Sequence, residues 1–107
     1  MKEFVVLSDE EKRSLSNASL SSRAVNVAAA PVILFQPNPN RKIATICNDS
    51  ANIVYLSLGR VAIANEGLRL NPNGGVFMFG EFTDFPYFGE VSAISVAAGS
   101  NVGLTEV

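Results

Sequence analysis

The sequence predicts an all-β protein: a single small antiparallel β-sandwich or jelly-roll-like barrel with a short N-terminal arm. Three observations predict it. From residue 24 onward the apolar residues fall in short runs rich in Val, Ile, Phe and Tyr, the composition of pleated strands. Each run is closed by Gly, Pro, Asn or Asp, residues with a mechanical reason to sit at corners. The corners recur roughly every eight to twelve residues, the spacing of sandwiches and small barrels. No amphipathic helix of about twelve residues follows residue 20.

The elements read as follows. Residues 1–23 form a mixed leader, assigned as an arm or linker, and residues 24–107 form the sandwich. Within the leader, Phe4, Val5, Val6 and Leu7 make an apolar anchor or short strand. Ser8 and Glu11 have capping-box spacing, which predicts a turn or two of helix over Asp9–Leu15, too short to be stable alone. The first strand is expected at Pro31–Phe35, ending in Gln36-Pro-Asn-Pro-Asn40, where two prolines forbid a helix. Lys42–Asn48 and Ile53–Leu58 flank Asp49-Ser50-Ala51-Asn52 and read as a hairpin with a four-residue loop. Val61–Ile63 and Leu68–Leu70 read as a second hairpin around Asn65-Glu66-Gly67, with Gly67 supplying a positive φ. Asn71-Pro-Asn-Gly-Gly75 turns the chain into a strand at Val76–Phe79. After a loop over 81–89, Val91–Ala97 and Val102–Glu106 are the last strands.

Composition bounds the function. A chain of 107 residues suits one domain. With 48% hydrophobic and 17% charged residues, disorder over the whole length is not expected. The net charge of −2 argues against nucleic acid, whose partners carry a basic stripe. The charge is uneven: residues 24–75 carry four basic against two acidic side chains, and 76–107 carry four acids and no base. Such polarity can dock subunits head to tail. The start, MKEFVVLSDEEKR, lacks a signal-peptide pattern, and no apolar run approaches the ~18 residues of a membrane span. The expected setting is a cytosol, or a particle assembled there.

No enzyme and no cofactor are expected. There is no histidine, the commonest general base and metal ligand, and a single cysteine, Cys47, excludes Cys/His zinc sites. Cys47 sits in an apolar run and reads as a buried structural thiol. Asn73-Gly-Gly75 lacks the lysine and helix of a phosphate loop. Glu81, Asp84 and Glu90, near the aromatic loop, are the candidates for a glycoside-hydrolysing pair, and as loop acids they read as solvated charges. Asn48, Asp49 and Asn52 lack the acidic spacing of a calcium loop.

The informative stretch is Phe77 to Phe88, which holds six of the nine aromatic residues. Phe77 and Phe79 share a strand face and belong to the core. Phe82, Phe85, Tyr87 and Phe88 lie on a proline-containing loop, where exposed rings mark an interface. The alternatives are a satellite cluster folded over the open end of the sandwich, and a platform for sugar stacking.

The motif order adds a resemblance. Asn38-Pro-Asn-Arg-Lys42 is followed by Ile46-Cys-Asn-Asp-Ser50, Ile53-Val-Tyr-Leu-Ser-Leu-Gly59, Leu70-Asn-Pro-Asn-Gly-Gly75, Tyr87-Phe-Gly-Glu-Val91, Ser92-Ala-Ile94, Ala98-Gly99 and a closing Thr105-Glu106. Over residues 36–107 this resembles the small virion-associated β proteins of tailed bacteriophages. Residues 1–30 show no match. The resemblance implies a structural virion part: a capsid decoration (cement) protein, or a tail or fibre-base component, assembled in the host cytoplasm. Its partners would be copies of itself, in homo-oligomers that are often trimers, and the major capsid or other virion proteins. It implies structural roles for Asn48, Asp49, Gly59 and Gly75, and for Arg41 a buried or subunit-crossing ion pair. A surface arginine is the alternative. The interface residues expected are Phe4, Val6, Leu7, Arg41, Phe82, Phe85, Tyr87 and Phe88. A carbohydrate-binding module for host attachment is the competing reading, though the chain has no Trp, the best sugar platform.

Overall fold

The computed structural model describes residues 21–107. Phe4, Val6, Leu7 and the capping box therefore lie outside the described residues. The described chain is all β. Its strands are β1 (Ser21–Val27), β2 (Val32–Phe35), β3 (Ala44–Asn48), β4 (Val54–Leu58), β5 (Leu68–Leu70), β6 (Gly75–Phe79), β7 (Val91–Ile94) and β8 (Ser100–Glu106). One sheet has the order β1-β8-β3-β6 and the other β2-β7-β4-β5. The antiparallel pairs β1·β8, β2·β7, β3·β6 and β4·β5 are nested, as if one long hairpin had been rolled up. The roll closes where β3 also meets β8 and β4 also meets β7. This is jelly-roll order.

Strand alternation explains the core. On β3, Ala44, Ile46 and Asn48 point inward, and on β8, Ser100, Val102 and Leu104 do. Val54 and Leu56 of β4 and Phe79 of β6 meet them in the same cluster. All four residues of β7 are buried. Its inner face packs on the core, and the loop after β4 reaches over its outer face, where Ser92 Oγ donates to the Arg60 carbonyl at 2.6 Å.

Four sequence expectations change. First, Lys42–Asn48 and Ile53–Leu58 do form strands, but not a hairpin: β3 and β4 lie in opposite sheets. β3 already has β6 on one side and β8 on the other, so the turn at 49–53 must arch across the sandwich. Second, Val61–Ile63 is not a strand, and Leu68–Leu70 pairs with β4 instead. Gly67 nonetheless has the expected positive φ, 91°. Third, the sandwich begins with β1 at Ser21, inside the region assigned to the arm. Fourth, Cys47 is half-buried and not in the core. Its neighbours Ile46 and Asn48 face inward, so strand parity turns Cys47 out.

Candidate protein-interaction surface

Each end of the sandwich is closed by a buried polar hub. At one end the hub is Arg41, which is completely buried. Its Nε donates to Glu106 Oε2 at 2.7 Å. Its Nη1 donates to the carbonyls of Tyr87 (3.2 Å) and Gly89 (3.0 Å), and its Nη2 to that of Gln36 (2.8 Å). The guanidinium lies 4.9 Å from the Phe79 ring centroid and 5.4 Å from that of Phe35. A planar fork with five donors suits this task, since it satisfies several acceptors while its faces rest on rings. Arg41 is therefore not a docking residue: it crosses between loops of its own chain and is out of a partner's reach.

Arg41 positions the aromatic loop. The loop's carbonyls at 87 and 89 are held by the guanidinium, and its start is held by backbone bonds from Glu81 and Phe82 to the carbonyls of Arg41 and Lys42. Between these anchors the loop knits itself. The Gly80 amide donates to the Phe85 carbonyl at 2.9 Å. Thr83 Oγ1 lies 2.8 Å from the Gly80 carbonyl and accepts from the Phe85 amide at 3.2 Å. Gly80 has a φ of 129°, and a Cβ there would fall 2.5 Å from the Lys42 carbonyl oxygen, so glycine alone permits the strand to turn into this loop.

The rings form a path from core to surface. Phe35 meets Phe79 edge-on at 5.5 Å, and Phe79 stacks with Phe77 at 5.3 Å. Phe77 meets Phe85 at 5.4 Å, and Tyr87 sits between Phe79 (6.3 Å) and Phe85 (6.4 Å). Tyr87 packs on the core and its hydroxyl donates to the Glu90 carbonyl at 2.7 Å. Burial pushes its phenol pKa up, the Glu90 charge adds to this, and Arg41 opposes it. Phe82 and Phe88 are half-buried. Phe85 remains 43% exposed at the apex. The two sequence readings thus divide along the loop: Tyr87 folds back over the open end, and Phe85 is presented outward.

At the other end the hub is Asn48. Its Nδ2 donates to the carbonyls of Asn52 (2.8 Å) and Leu70 (3.2 Å), and its Oδ1 accepts from the Ser50 amide (3.1 Å) and hydroxyl (2.7 Å). Nearby, Asn52 Nδ2 donates to Ser100 Oγ, which lies 2.9 Å from Ser95 Oγ. These side chains are spent on the arch and are not arranged as ligands for calcium. Among the described residues, no group of three His, Cys, Asp or Glu is placed to hold a metal. Glu81 and Asp84 are exposed and Glu90 is half-buried. Sequence reasoning did not find the Ser95–Ser100 contact; Ser100 opens β8 at an inward position and Ser95 lies just past the end of β7, and two small hydroxyl residues five apart are the only signal for it.

Cys47 is a usable reporter. Burial raises its thiol pKa, as do the hydrogen bond to Asp49 Oδ1 at 3.4 Å and the Asp49 charge. Less thiolate means slower reaction. At pH 8, Ellman's reagent is expected to label Cys47 several-fold more slowly than free glutathione, and Asp49→Asn should speed labelling. Labelling as fast as glutathione would contradict this.

Comparison with protein-family models, curated proteins and solved structures finds no match for this chain.

Proposed function

We propose that this protein is a virion structural accessory, a capsid decoration protein that docks on a repeated viral lattice and associates with copies of itself. The single observation that carries the reading is Phe85, an exposed ring held on a loop whose backbone is already fixed by hydrogen bonds and by Arg41. A pre-ordered aromatic loses little entropy on binding, and central aromatics dominate interface energies. The jelly roll supports the reading because viral capsid proteins use it, although the same fold serves lectins, so the surface carries the assignment. The motif order over residues 36–107 points the same way. A tail or fibre-base position is the variant of this reading that the same surface serves.

Purified tailed-phage virions of the source organism, analysed by mass spectrometry, are expected to contain the chain in many copies. Phe85→Ser should lower its occupancy on particles about tenfold or more while lowering the free energy of unfolding by only about 1–2 kcal/mol, the loss of its contacts with Phe77 and Tyr87, so that the variant stays folded. Absence of the chain from particles would remove the proposal. Glycan binding that Phe85→Ser abolishes would shift it to the carbohydrate-binding alternative.

A further inference from the structure

Among the described residues the two sheets have four edge strands, and three of them are guarded. A sheet edge presents unpaired backbone groups, and proteins blunt it with charge, proline, bulges or short length. β1 carries Arg23 at an inward position, donating to the Leu34 carbonyl across the sandwich. β2 follows Pro31 and has a register shift between Ile33 and Phe35. β5 has only three residues, with Arg69 at its centre. β6 has none of these devices. It is five residues long, Gly75-Val-Phe-Met-Phe79, uncharged, free of proline, and in unbroken register with β3, its sole strand partner among the described residues.

The flanks of β6 are apolar as well. Val76 and Met78 point outward and are 57% and 51% exposed. On the seam between the sheets, half-buried Phe77 is met by the exposed Phe85 ring. Beside Val76 and Met78 on the outer face lie Cys47 and Thr45, and beyond them Gly103 and Thr105. None of these six carries a charge.

We infer that β6 is the contact between two copies of this chain, paired antiparallel across a two-fold axis into a continuous eight-stranded sheet. A strand that meets itself is isologous, which makes the symmetry two-fold. The six uncharged residues bring no like charges together next to the axis; the nearest charge on this face is Asp49, whose Oδ1 lies 3.4 Å from Cys47 Sγ at the end of β3. The antiparallel arrangement also sets the Glu81 end of one copy beside the Asn71–Gly75 turn of the other, whose neighbour Arg69 donates to Asn71 Oδ1. Glu81 of one copy thus comes near Arg69 of the other, with Asp49 on the outer face of that same end. A strand of five residues is about 17 Å long, and its backbone pairing alone falls short of the ~800 Å² per partner of a stable interface. Val76 and Met78 on one side, with Phe77 on the other, supply the remainder.

This inference deepens the self-association part of the proposed function and does not depend on which lattice is bound. The test is light scattering and sedimentation of the full chain from low micromolar to near-millimolar concentration. The wild type is expected to move from 11.4 kDa toward twice that mass. V76K/M78K, which changes only exposed side chains, should raise the dissociation constant about a hundredfold or more, because like charges are then forced together. V96K, at an equally exposed apolar site away from β6, should dimerise as the wild type does. Far-UV circular dichroism and urea unfolding check that each variant is folded. A wild type that stays monomeric, a three-fold assembly, or a dimer that V76K/M78K leaves intact overturns the inference. Virion binding is measured on the same variants: a dimer that ignores particles leaves this inference standing and removes the lattice reading.

Discussion

Arg41→Met is expected to lower the free energy of unfolding by about 3–5 kcal/mol, the range for breaking a buried charge pair from one side. Three carbonyls, of Gln36, Tyr87 and Gly89, lose their donor at once, and an unsatisfied buried acceptor costs more than an ordinary hydrogen bond yields. The stacking on Phe35 and Phe79 is lost with them. Arg41→Lys should not rescue stability, because an ammonium is a point charge and cannot span acceptors on three segments. Glu106→Gln should cost far less, about 1 kcal/mol, since that side chain is 26% exposed and its oxygen can still accept. Urea unfolding measures all three. Hydrogen exchange on Arg41→Met should show accelerated exchange at the amides of residues 80–87 beyond any global loss. A methionine variant within about 1 kcal/mol of wild type would mean that the guanidinium is a passenger.

Asn48→Asp is the second large effect expected, roughly 3 kcal/mol or more. The substitution is almost isosteric, so packing is unchanged. It replaces an amide donor by an oxygen facing the carbonyls of Asn52 and Leu70, at 2.8 and 3.2 Å, and puts a negative charge in a site that is fully buried. The arch at 49–53 and the turn at 71–75 are coupled through this residue, because Gly74 donates to the Asn48 carbonyl and Asn73 to the Ser50 carbonyl. Loss of the side-chain donors should therefore loosen both corners together. Asn73→Asp is the control. Asn73 is exposed at a φ of 59°, a conformation aspartate tolerates, and the change should stay within about 0.5 kcal/mol. Equal urea midpoints for the two variants would show that Asn48 is not a hub.

Much of the candidate surface could be read before the structure. The cluster of rings at 77–88 is visible in one dimension, and strand parity assigns Phe77 and Phe79 inward without coordinates. Which of the remaining rings would be presented was not readable. Tyr87 is drawn in because its hydroxyl finds the Glu90 carbonyl, and Phe85 is left out because Thr83 and Gly80 fix the turn beneath it. Arg41 shows the same limit. An ion pair could be expected from its place before a strand, but the partner lies 65 residues away, and the two rings beside the guanidinium come from two further strands.

Residue chemistry along the chain was enough to set most of the strands and corners, though not β1 or the loop at 61–63. Alternating apolar side chains can hide only on a pleated face, and Gly, Pro, Asn and Asp bend the chain wherever they cluster. Only the folded chain decided which strands are neighbours. The pairs β1·β8, β2·β7 and β3·β6 join segments far apart in sequence, and their register comes from the core both sheets must share. The corner at 49–53 is as good a hairpin turn as an arch by local chemistry. It became an arch because β6 and β8 already occupy both sides of β3, and that same arrangement leaves β6 at an edge of the sheet among the described residues.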